Sequence, residues 1–164
     1  MKNIIVIIVM VVLFGCSGPQ KKIVETKSGN PEIIINTRNI DVVKSLLILN
    51  MGKEEWGYLL LDDSKDSLTF IRQVRAGEEA DKAQLMVGTR SGTIPERIVV
   101  FQIVRIKGAI QTIAYPSLSS QNEFGQTNQV RLENNIPIFN ALQELLISIK
   151  TKVESDLMLN LKPQ

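Results

Sequence analysis

The chain of 164 residues contains no histidine and a single cysteine, Cys16. Without histidine it lacks the commonest general base near neutral pH and one of the commonest zinc ligands. Metal-assisted hydrolysis and Ser-His-Asp or Cys-His catalysis are therefore disfavoured. One cysteine cannot close an internal disulfide, so the folded part must be held by packing. Neither sign of charge dominates, since 19 Lys and Arg face 17 Asp and Glu. So even a balance implies neither nucleic acid nor an acidic substrate as partner. Aromatic residues make up only 5% of the chain, with one tryptophan, and no ring cluster suited to stacking sugars stands out. The loop around Gly88 and Gly92 lacks the GxxxxGK[ST] phosphate pattern, and no cofactor is expected.

What is present is concentrated at the N-terminus. Lys2 precedes an unbroken apolar run over residues 4–14, which is too short to cross about 30 Å of hydrocarbon as a helix. A charged start, a short apolar stretch and a small residue, Gly15, make a signal peptide over residues 1–15. Within it, Leu13-Phe14-Gly15-Cys16 resembles the lipobox of bacterial lipoproteins, although Phe14 stands where a small residue is usual. The resemblance implies cleavage between Gly15 and Cys16, a thioether-linked diacylglycerol on Cys16, and a further acyl chain such as palmitate on its nitrogen. Two or three buried chains hold a protein on a bilayer stably, whereas one does so only marginally. Ser17 occupies the place where an Asp would resemble an inner-membrane retention signal. By that resemblance the expected address is the inner leaflet of the outer membrane, facing the periplasm.

After cleavage 149 residues remain, with 18 basic and 17 acidic side chains, a size suited to one domain. Residues 16–30 are rich in Ser, Gly, Lys and Gln and read as a lipidated tether. Residues 31–157 read as a single periplasmic domain, and 158–164 as a C-terminal tail. In the domain, Glu32-Ile33-Ile34-Ile35 suits a strand. Asn39 then caps a helix over 41–54, in which Val43, Leu46, Leu47 and Met51 share a face. The runs YLLLDD and SLTFIRQV predict a hairpin, and residues 76–95 a loop with about one helical turn. RIVVFQIV from Arg97 is the strongest strand signal; AIQTIAY follows and is expected to stop at Pro116. Phe139, Leu142, Leu146, Ile149 and Val153 step by three and four, predicting a long helix over 136–156.

This order predicts an α+β fold, an antiparallel sheet of about five strands with an N-terminal helix and a long C-terminal helix packed on it. The topology is similar to helix-grip domains, including the C component lipoprotein of the outer-membrane barrel-assembly machinery. The landmarks Pro31-Glu32, Gly57-Tyr58, Phe124-Gly125 and Leu142-Gln143 also resemble small proteobacterial lipoproteins that carry no known activity.

The remaining candidate chemistry is carboxylate-based. Asp62, Asp63 and Asp66 crowd one turn, but without the glycine and terminal glutamate of a calcium loop. Glu54 and Glu55, and Glu78, Glu79 and Asp81, offer paired acids of the kind a glycosidase needs, or simply solvated surface. Trp56 beside Gly57, Phe124 alone among polar neighbours, and Leu159 in an apolar tail are candidate contacts for a partner. The sequence therefore reads as a non-enzymatic, membrane-tethered domain that binds an envelope protein. An alternative is a helix-grip domain holding a lipid or small apolar ligand; a carboxylate-based cell-wall hydrolase ranks third.

Overall fold

The computed structural model describes residues 21–88 and 93–160. Gly15, Cys16 and the loop residues 89–92 lie outside the described residues, as does the side chain of Leu159. The fold is α+β, built on one six-stranded antiparallel sheet. Its strands are β1 (Glu32–Ile35), β2 (Leu59–Ser64), β3 (Ser67–Gln73), β4 (Glu96–Ile106), β5 (Ala109–Gln121) and β6 (Thr127–Arg131). The helices are α1 (Ile40–Met51), α2 (Glu78–Val87) and α3 (Ile136–Asn160). The sheet runs β1-β5-β4-β3-β2, with β6 also on β5.

Alternation along β3, β4 and β5 puts Leu68, Phe70, Val99, Phe101, Ile103, Ile110 and Ala114 on one face, where they are buried. Val43, Leu47 and Met51 of α1 and Leu142, Leu146 and Ile149 of α3 close over them in one core. Phe70 and Phe101 meet edge to face at 5.7 Å between ring centroids, the arrangement favoured by the ring quadrupole. Asn39 caps α1 as expected, its side chain accepting from the backbone of Asp41 and Val42. The helix ends at Met51, three residues short of the expected end, with Gly52 as its C-cap.

Elsewhere, too, the structure departs from the sequence reading. Pro116 does not end its strand. Ala114 donates its backbone N–H toward Pro31 on the β1 side, so the missing N–H of Pro116, two residues on, faces that same side. There β1 has stopped pairing at Ile113 and β6 begins only at Ser117. The proline thus sits where no donor is needed, and β5 continues to Gln121. The polar stretch after it is the second half of β5, a tight turn and β6. Residues 78–87 form a full helix in place of a single turn. Ala80, Ala83 and Val87 bury one stripe against Leu118 and Leu132, and Gly88 ends the helix with φ of 76°, a conformation glycine adopts without strain.

Residues 21–30, read in the sequence as tether, are tied to α3. Ile23 donates its backbone N–H to Asn140 Oδ1, Asn140 Nδ2 donates to the Lys21 carbonyl, and the Lys22 ammonium lies 4.4 Å from the centre of the Phe139 ring. Gln143, buried on α3, grips β1 through both of its amide atoms: it accepts from Glu32 N–H at 2.9 Å and donates to the Glu32 carbonyl at 3.0 Å. No helix among the described residues is long and apolar enough to cross a membrane.

Candidate functional site

A half-open cleft of about 530 Å³ lies where the loop into β2, the ends of β3 and β4, and the first turns of α3 converge. Its walls include Trp56, Tyr58, Arg72, Arg97, Ile138 and Leu142. That volume falls in the range of small-molecule sites.

Each wall follows from local sequence. After α1 the chain turns through Gly57, whose φ of +61° is open to glycine. The turn presents the Trp56 carbonyl to Arg72 Nη1, which donates to it at 2.7 Å. Tyr58 is buried next to it, with the Arg72 guanidinium 5.0 Å from the ring centre, within cation–π reach. Arg72 continues the inward parity of Leu68 and Phe70 on β3, and Arg97 that of Val99 and Phe101 on β4. The strand register sets these two arginines directly opposite each other. Asn135 caps α3 by accepting from Ile138 N–H at 3.1 Å, which puts the positive end of that helix dipole at the cleft.

The electrostatics are unbalanced. Like charges facing each other on adjacent strands destabilise the pair, and among the described residues the one ion pair these guanidiniums make is with Glu79, which accepts from Arg97 Nη2. The Nε of each arginine is buried without a hydrogen-bond partner among the described residues. Burial raises the Tyr58 phenol above its ordinary pKa of 10.0, while Arg72 and Arg97 both pull it down. Both cations are thus felt on the same wall of the cleft.

The sequence-derived candidates separate in space. Trp56 and Glu55 line the cleft, and Glu79 bonds one of its lining residues, Arg97, whereas Glu54 and Asp81 are exposed. Asp63 pairs with Lys44 at 2.6 Å and Asp62 accepts from Ser64 Oγ. No group of His, Cys, Asp and Glu able to hold a metal occurs among the described residues. Phe124 caps the β5–β6 hairpin and is 81% exposed. Asn122 Oδ1 fixes that turn by accepting from the backbone of both Phe124 and Gln126. In the tail, Leu157 and Met158 are exposed, but they lie at the other end of the sheet. Glu154 bonds Asn36, just past the residue that pairs with Ile110. Ile110 and Gln121 are separated by roughly 36 Å of strand, so Phe124 does not form one patch with Leu157 and Met158.

The two arginines escaped the sequence reading although a signal for them exists. In SLTFIRQV and RIVVFQIV each is the one charged residue at the inward parity of an otherwise apolar strand face. No protein-family model matches the chain, and no curated protein or solved structure matches it either, so the geometry of the cleft carries the functional argument.

Proposed function

We propose that the chain is a lipid-anchored, non-catalytic periplasmic binding domain and that the cleft beside Trp56 holds its ligand, a small and partly apolar molecule. The observation that carries the reading is a cleft of about 530 Å³ walled by Trp56, Tyr58, Ile138 and Leu142. It outweighs the protein-docking reading because two of the candidate contacts, Phe124 and the apolar tail residues Leu157 and Met158, stand apart at opposite ends of the sheet. The anchor rests on the lipobox at Cys16, with the outer-membrane inner leaflet as its address.

Two experiments test the two halves. Replacing Cys16 by Ser is expected to abolish metabolic labelling with palmitate and to release the protein from membranes; labelling that persists refutes the anchor. As the only tryptophan, Trp56 reports the cleft directly. Titration with short-chain apolar compounds is expected to shift its emission saturably, and an emission unmoved by the whole panel refutes the ligand site.

One observation favours a second reading, an envelope-protein partner. Phe124 is presented on a turn whose backbone is braced by Asn122, and a large exposed ring on a fixed turn suits an interface anchor. A photo-cross-linker at position 124 should then yield one discrete adduct in cells, and a featureless smear would dismiss it.

A further inference from the structure

We propose that the ligand of the cleft is a soluble amphiphile that sets an anionic group, phosphate or carboxylate, across Arg72 and Arg97 and lays a short apolar body against Trp56, Ile138 and Leu142. This rests on the cleft being the binding site.

The charge arrangement makes the case. Arg72 and Arg97 occupy one register pair on the inward side of the sheet, where apolar side chains would pack at no electrostatic cost. Two half-buried cations placed there need anions. Among the described residues their one ion pair is with Glu79, which is bonded to Arg97. Arg72 uses a neutral carbonyl instead. Among the described residues neither buried Nε–H group has an acceptor, and a buried donor left unpaired is destabilising. Guanidinium is the side chain best shaped for planar, two-pronged recognition of carboxylate or phosphate. An anion seated between the arginines would offer acceptors to both forks and relieve the like-charge contact. The capped start of α3 adds the favourable end of a helix dipole at the same cleft.

The apolar part of the lining explains why the ligand is not a bare anion. Trp56, Ile138, Ala141 and Leu142 also line the cleft, and burial of an apolar body there is favourable roughly in proportion to area. Glu55 also borders the cleft and is exposed, so it disfavours a second anionic group and points to a ligand charged at one end.

The test uses the full lipidated protein in phosphatidylcholine nanodiscs, with Trp56 emission as readout and empty discs as the partition control. Hexyl phosphate is expected to bind saturably, and hexanol and inorganic phosphate each about ten-fold or more weaker. The double variant Arg72→Gln/Arg97→Gln should bring hexyl phosphate down to the level of hexanol. Glu79→Gln, which keeps both guanidiniums, should tighten hexyl phosphate about five-fold. Hexanol binding as well as hexyl phosphate overturns the anionic assignment while leaving a ligand cleft in place. Inorganic phosphate binding as well overturns the apolar part. If no compound moves Trp56, the cleft reading itself fails. Repeating the titration in discs that also carry phosphatidylglycerol separates the sources of the anion: an unchanged curve supports a soluble ligand, and competition by the discs assigns the anion to a bilayer headgroup and overturns the soluble one.

Discussion

Replacing Glu79 by Gln should make the empty protein less stable and its ligand tighter, and this opposition of sign separates a binding cleft from a structural ion pair. The carboxylate side chain is 42% exposed and that of Arg97 24% exposed. Solvent therefore screens much of the interaction, and about 1 kcal/mol, the upper end for partly exposed pairs, is the appropriate magnitude. For a domain of this size that corresponds to a melting temperature lower by about 2–4 °C. The same carboxylate repels an anion approaching Arg72 and Arg97. Its neutralisation should return a similar 1 kcal/mol to binding, or about five-fold in Kd. The two effects close a cycle: with saturating hexyl phosphate, wild type and Glu79→Gln should melt together. Paired thermal scans, empty and saturated, measure every corner. A variant that is less stable and binds no tighter refutes the idea that Glu79 stands where the ligand's charge belongs.

Three further perturbations test the frame around the cleft. Gln143→Leu strands the N–H and C=O of Glu32 and should cost about 2 kcal/mol or more, seen as faster hydrogen exchange at Glu32; a loss within about 0.5 kcal/mol, the range of ordinary surface changes, would mean water replaces the amide. Phe101→Ala removes a ring with no exposed surface that packs on Phe70. It should cost about 3–5 kcal/mol, lowering the urea midpoint at unchanged slope. Tyr58 binds its proton more tightly in the folded state than at the ordinary value of 10.0, so its contribution is complete below pH 10.0 and lost as pH rises through the folded value. Wild type should therefore lose stability above that pH more steeply than Tyr58→Phe, and parallel alkaline curves would show that the phenol does not ionise against its burial.

Much of the frame is legible because long periodic segments leave few alternatives. RIVVFQIV alternates through β4, and the stripe from Phe139 to Val153 marks α3 within a few residues of its observed ends. The failures come from small and polar residues whose role depends on distant neighbours. The stripe on α2 is made partly of alanines, Ala80 and Ala83, and its value appears only once Leu118 and Leu132 lie beneath it. Ser117, Ser119 and Ser120 look like loop, yet they are buried in β5. Pro116 looks like a stop, yet it falls at the junction of two partner strands, a place fixed by register. Trp56 is visible as a lone tryptophan. Arg72 and Arg97 are separated by 24 intervening residues, and only the pairing of β3 with β4 makes them neighbours.

The most direct test of a cleft for a singly anionic amphiphile is to map where one binds. In amide chemical-shift spectra titrated with hexyl phosphate, the account predicts saturable shifts confined to residues 55–58, 72, 97 and 135–142. Shifts centred instead on Phe124 and the β5–β6 turn, or spread without saturation over the open face of the sheet, would contradict it.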